Sequence, residues 1–138
     1  MLDETKAELI SEIKIRAWNI DKKKMHFPED DDWNITIRNG KIIAFEIPKE
    51  ENAEAGRLIP LMNIGLCDKN QKDVYDGDIY KTADDEIGLV SFCSDSGHGC
   101  WKVSKPFGKG AWVEIGFLYW DRGEIIGNIW ENENLLEL

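Results

Sequence analysis

Apolar and charged residues alternate from Ile13 to Trp18, the period of a half-buried strand with Ile13, Ile15 and Ala17 facing inward. The same period returns on both sides of Asn39-Gly40. A two-residue turn there pairs Ile37 with Ile42 and sets Thr36 beside Ile43, which leaves apolar residues on both faces. A three-residue loop from Arg38 to a left-handed Gly40 instead gathers Trp33, Ile35, Ile37, Ile43 and Phe45 on one face, and that register is preferred. Leu58 to Ile64 is apolar but carries Pro60, which lacks a ladder donor and restricts the segment to an edge or a strand start. Ile79 to Thr82 follows as another strand. Ile87–Cys93 and Cys100–Ser104 then form a hairpin in which Cys93 opposite Cys100 sets Phe92 against Trp101 and Val90 against Val103. Trp112 to Trp120 reads as one long strand with Val113, Ile115, Phe117 and Tyr119 on one side. Ile125 to Trp130 closes the series, with Gly127 marking a bulge or a close backbone approach.

The segments between strands are turn chemistry. Residues 21–32 hold three lysines and the run Glu29-Asp30-Asp31-Asp32, and read as a solvated loop. Residues 48–57 are an acidic connector, and Asp68 to Asp73 and Asp76-Gly77 are two closely spaced corners. Helical signals are confined to the ends. Thr5 and Glu8 have capping-box spacing before Leu9 and Ile13, and Asn132 is placed to cap a last turn bearing Leu135, Leu136 and Leu138. No parallel βαβ rhythm is present. The expected fold is mainly β, a β-rich α+β chain of antiparallel hairpins with short terminal helices. Residues 1–56 form an N-terminal strand and hairpin region with acidic loops, and residues 57–138 a small, bent, partly open barrel.

Composition narrows the function. Seventeen basic and twenty-seven acidic residues give a net charge of −10, which repels a phosphate backbone and disfavours broad nucleic-acid binding. A local exception is Lys102, Lys105, Lys109 and Arg122 near Trp112 and Trp120, the basis of an alternative reading as a single-stranded nucleic-acid binder. No stretch approaches the ~18 apolar residues of a membrane span, and the first twenty lack the apolar core of a signal peptide, so the cytoplasm of a bacterial host is the expected location. Cys67, Cys93 and Cys100 are then expected as reduced thiols.

Three groups invite a catalytic reading. Cys93, Asp95, His98 and Cys100 offer zinc ligands, but C-x4-H-x-C has no second ligand cluster elsewhere, and a glycine-rich hairpin tip explains it. Cys93 or Cys100 with His98 as base lacks an orienting third group. Asp73, Asp76 and Asp78 resemble a magnesium set for a metal-dependent hydrolase, the least favoured function, yet Asp-Gly is foremost a turn and Asp78 can bond its own backbone. No catalytic residue, metal site or cofactor is therefore expected. Trp112 and Trp120 fall opposite Val113 and Ile115, outside the barrel's own core. With Trp18 they are candidates for contact with another subunit.

Ile13-Lys14-Ile15-Arg16-Ala17-Trp18, Ile64-Gly65-Leu66 with Asp68-Lys69-Asn70 and Val74-Tyr75-Asp76-Gly77-Asp78-Ile79, and Ile126-Gly127-Asn128-Ile129-Trp130-Glu131-Asn132 with Leu135-Leu136 occur in that order. Together they resemble the YopX family of phage and prophage proteins across nearly the whole chain from residue 13. Cys67, Gln71, Tyr80 and Glu133 depart from the family's usual lysine, glycine, valine and proline. The resemblance implies a β-rich C-terminal domain, a phage or prophage origin and self-assembly, and brings no catalytic residue with it. The expected function is that of a noncatalytic accessory protein working through contacts with its own copies or with a host or phage protein.

Overall fold

The computed structural model describes residues 14–51, 53–93, 100–107, 110–115 and 119–136. The expected N-terminal helix lies outside them. The chain divides into two compact units, the first ending at Asn63 and the second beginning at Ile64, with Asp21–Lys23 counted to the second. The expected boundary before residue 57 coincides with the start of a strand that runs through the division.

Eleven strands are described: β1 (Ile15–Asn19), β2 (Lys24–His26), β3 (Trp33–Arg38), β4 (Lys41–Glu46), β5 (Arg57–Cys67), β6 (Asp73–Tyr75), β7 (Asp78–Lys81), β8 (Ile87–Cys93), β9 (Cys100–Pro106), β10 (Trp112–Glu114) and β11 (Glu124–Asn128). They form two antiparallel sheets, one ordered β2-β1-β5-β4-β3 with β6 also paired to β5, the other β10-β9-β8-β7-β11. Among the described residues no pairing joins β10 to β11, so the second sheet is open. Helix is limited there to single 3-10 turns at Trp120–Arg122 and Glu133–Leu136. No helix among the described residues is long and apolar enough to cross a membrane.

In the first unit, Ile15 and Ala17 point into a core with Trp33, Ala44 and Leu58, as the alternation in β1 requires. The β3–β4 hairpin overturns the preferred register. Trp33 pairs with Glu46, Ile37 with Ile42 and Arg38 with Lys41, so the loop is the two residues Asn39-Gly40. Both have positive φ, 53° and 75°, the requirement of a type I′ turn. Ile43 and Phe45 consequently lie on the face opposite Trp33 and Ile35. The sheet tolerates this because the hairpin end is little covered: Ile37 is 67% exposed, and the gain from gathering apolar residues on one face vanishes where neither face is dry. Local turn geometry decides instead.

Two further expectations are corrected. Residues 21–32 are not wholly a solvated loop, because Lys24–His26 pairs with β1 and buries Met25 and His26. Pro60 lies inside a strand flanked by β1 and β4, opposite Ala17. It is tolerated because β4 pairs with β5 only at Leu58 and Arg57, so that side of Pro60 is locally an edge.

The second unit packs Val74, Tyr80, Val90, Val103 and Ile115, flanked by Ile64, Trp101, Trp120 and Ile125. The β8–β9 register is as expected, from Val90 opposite Val103 to Cys93 opposite Cys100. In β11 the pairing shifts between Ile125 and Gly127, leaving Ile126 as the extra residue of a bulge. Gly127 also meets Asn132 so closely that a Cβ would lie 2.6 Å from its Oδ1. That Oδ1 accepts from the Asn128 N–H, so Asn132 reaches back along the chain rather than capping the turn after it.

Gly65 and Gly77 share left-handed φ, +85° and +86°, but a Cβ on Gly65 meets open space while one on Gly77 falls 3.1 Å from Trp130 Nε1. Each alanine variant carries the backbone strain of about 1 kcal/mol, and only Gly77→Ala adds the contact. Urea unfolding should therefore show a larger loss for Gly77→Ala. Equal losses would show that the Trp130 ring yields freely.

Candidate functional site

The carboxylates of residues 64–80 hold the chain's corner together. Asp68 is buried, and its Oδ1 accepts from the Asn70 and Lys72 N–H groups at 2.9 Å each, while its Oδ2 accepts from Ile125 N–H on β11 at 2.9 Å. Asp78, also buried, accepts from Tyr75 N–H at 2.8 Å across the Asp76-Gly77 turn. A carboxylate has no hydrogen to give, so backbone N–H donors are the partners a buried one needs. Just beyond these turns, on β7, Tyr80 is fully buried. Its hydroxyl donates to Trp120 carbonyl at 2.6 Å and accepts from Gly123 N–H at 2.9 Å, which fixes the 3-10 turn against β7. Burial pushes the Tyr80 phenol above its ordinary value, with the Asp68 charge adding to the rise.

A polar cluster that the sequence reading missed sits in the first unit. His26, at the end of β2, is 1% exposed, with Nδ1 3.0 Å from Asp32 Oδ1 and Nε2 3.2 Å from Glu46 Oε1. The local cause is topological. His26 stands opposite Ala17 on β1, Asp32 immediately precedes β3, and Glu46 ends β4 opposite Trp33. Asn19 Nδ2 donates to the same Glu46 oxygen. Trp33 packs its ring 6.2 Å from the imidazole and donates from Nε1 to Phe27 carbonyl at 2.8 Å. The Lys24 ammonium lies 3.0 Å from Asp32 Oδ2. That hydrogen bond holds the Asp32 carboxyl below its ordinary range, with the imidazole contributing, and raises Lys24 in return. The available sequence signal was the apolar pair Met25 and Phe27 around a histidine inside a charged run.

The residues singled out from the sequence are scattered. Trp112 is 44% exposed on edge strand β10, whereas Trp18 is 4% exposed. Trp120 is half-buried and packs edge-on against Tyr80 at 5.4 Å. The expected strand through Trp120 does not extend that far: the chain forms a 3-10 turn there, so the alternation carried from Trp112 no longer sets the side of Trp120. Of the basic candidates, Lys105 pairs with Val113 and Lys102 lies three residues earlier on β9, on the face of Trp112, so the two point to opposite sides of the sheet. Lys105 is tied to Glu86 at 3.2 Å, Arg122 stacks 4.3 Å over the Tyr119 ring, and Lys109 lies outside the described residues.

Cys100 is exposed and has no disulfide partner, while Asp95 and His98 lie outside the described residues. Asp73 accepts from Cys67 Sγ at 3.5 Å at the strand edge, and Asp78 is turned inward on Tyr75. Among the described residues, the group with ligand atoms close enough to share a cation is instead His26, Asp30 and Asp32.

The model of the YopX protein family matches residues 14–137, and the chain belongs to the YopX family. Membership implies a phage-type protein. A crystal structure of protein EF1440 from Enterococcus faecalis is similar at 23% identity, covering 91% of this chain and 98% of that one with a TM-score of 0.45. No curated protein matches the chain.

Tyr80→Phe removes the acceptor of a buried Gly123 N–H and should cost about 1–3 kcal/mol at neutral pH, read as a lower urea midpoint. Because the folded phenol is raised above its unfolded value, its contribution is full below about pH 10 and is lost as pH climbs through the folded value. The stability gap between wild type and Tyr80→Phe should accordingly narrow above pH 10. A gap that stays constant to high pH would contradict the burial effect.

Proposed function

We propose that this protein is a noncatalytic, phage-type accessory protein of the host cytoplasm that acts through protein contacts and associates with its own copies along strand β10. The supporting observation is that edge. β10 ends the order β10-β9-β8-β7-β11, all three of its residues are exposed, and Trp112 and Val113 stand out from its two faces. Phe107, which joins the strand through its N–H to Ala111 carbonyl, adds a third exposed apolar side chain. An exposed edge with large apolar residues and no lysine on it is a template for another strand, and an antiparallel edge is complementary to itself about a two-fold axis.

Support for the noncatalytic reading comes from the employment of the reactive groups. Asp68 accepts from three backbone N–H groups, Asp78 from that of Tyr75, and the Tyr80 hydroxyl bonds Trp120 and Gly123, which makes them struts of the corner.

Light scattering of the purified protein at tens of micromolar should give a mass of about twice the 15.8 kDa of one chain. Trp112→Lys puts on the edge the charge that natural edge strands use against pairing, and should return the mass to one chain with unchanged circular dichroism. A wild-type mass of one chain at that concentration would remove self-association, and an unchanged mass in Trp112→Lys would move the interface elsewhere.

A further inference from the structure

The His26 cluster raises a question of hydrogen count. Asp32 and Glu46 are acceptors, and a neutral imidazole has one N–H, so serving Glu46 from Nε2 turns the Nδ1 lone pair onto the Asp32 oxygen 3.0 Å away. In a position 1% exposed, two facing lone pairs are costly. Either a second ring proton or a cation shared by Nδ1 and Asp32 removes the conflict.

We propose that His26 Nδ1, Asp30 and Asp32 form a binding site for a divalent transition-metal ion, with Glu46 orienting the imidazole from behind. Three observations carry this beyond a collection of charges. The ligand atoms of His26, Asp30 and Asp32 all lie within 4.8 Å of one another. Neighbouring ligands about 2.1 Å from a six-coordinate ion are about 3.0 Å apart, against about 3.4 Å for a tetrahedral one, so the Nδ1 to Oδ1 hydrogen-bond spacing needs no opening to become an octahedral edge. Behind the ring, Nε2 faces a carboxylate that Asn19 fixes in turn, the outer-shell arrangement that sets the tautomer of a metal-ligating histidine.

Access is provided by a cavity of about 230 Å³ lined by Ile15, Pro28, Asp30, Trp33, Asn34 and Ile35. Asp30 is the one proposed ligand on its wall, and the Asp32 side chain is itself 35% exposed. One imidazole nitrogen with two carboxylates suits manganese, iron, cobalt or zinc rather than a thiolate-seeking ion. Lys24 is the competitor. Its ammonium lies on Asp32 Oδ2 with a side chain 55% exposed, and it swings into solvent when a divalent ion takes the carboxylate. The ion would join β2, the 27–32 turn and β3, and through Glu46 the end of β4. This site does not depend on the self-association proposed above.

The test is a titration with Mn²⁺ alone, following paramagnetic broadening of the His26 ring and the Trp33 indole N–H by NMR, with isothermal calorimetry for affinity. Mn²⁺ is chosen because the cysteines of the chain compete for it poorly. The site requires saturable one-to-one broadening centred on His26 and Trp33. Asp30→Asn, at an exposed residue, should weaken binding by about tenfold or more, and Glu46→Gln by about 10–100-fold. Lys24→Met should tighten binding by about fivefold, because the competing cation is gone, whereas a purely structural ion pair predicts only lost stability. His26→Gln should abolish binding, and the three other variants decide the matter if it fails to fold. Broadening centred elsewhere, no response at millimolar Mn²⁺, or an affinity unmoved by Lys24→Met would overturn the proposal. A doubly protonated His26 ring in the ¹⁵N spectrum with Mn²⁺ present would do the same.

Discussion

Much of the second unit hangs on one requirement, that a buried carboxylate must be met by N–H donors. Asp68 meets it with three backbone groups, two from its own turn and one from β11, fifty-seven residues away in sequence. The side chain therefore shapes a corner and ties a distant strand to it. Asp78 does the local half of the same work across Asp76-Gly77, and the hydroxyl of Tyr80, two residues further on, carries the constraint to the turn at Trp120–Arg122. A family of short strands joined by tight corners has little uninterrupted ladder, so side-chain acceptors at the corners supply order that long strands would otherwise provide.

The first unit meets the same demand with different chemistry. There the buried polar group is an imidazole, and its partners are two side-chain carboxylates drawn from the ends of β4 and the turn before β3. Three backbone donors occupy both oxygens of the Asp68 carboxylate. Side-chain partners leave a mixed nitrogen and oxygen donor set within 4.8 Å, which is why the cation site is inferred in the first unit and not at the acidic corner of residues 64–80. The outward-facing chemistry of the second unit is of another kind, an apolar strand edge at β10.

Most strand positions, the corners and the β8–β9 register were legible because each rests on a local rule: pleat alternation, Asp-Gly turns, and apolar pairs that fall on one face. Family membership was legible for a related reason, since its three ordered stretches are mostly those corners and bulges. The β3–β4 register was not legible because gathering apolar residues on one face is favourable only where that face is dry, and Ile37 at the hairpin end is exposed. Pro60 was placed at an edge correctly in its local hydrogen bonding and wrongly in the sheet order, because the length of β4 is not written in β5. The extension of alternation to Trp120 failed for want of the Tyr80 hydroxyl, which holds the chain in a turn there.

His26 marks the division most sharply. By itself the sequence determined most of where the chain is extended and where it bends, Lys24–His26 and the turn at Trp120 excepted, because those properties are largely settled within a few residues by backbone geometry and the pleat. Only tertiary structure decided that a histidine in a charged run is buried, that Asp32 and Glu46 converge on its two nitrogens, and that Asp68 binds β11. Those outcomes need strands distant in the sequence to arrive at the same place, and no spacing along a single chain encodes that arrival.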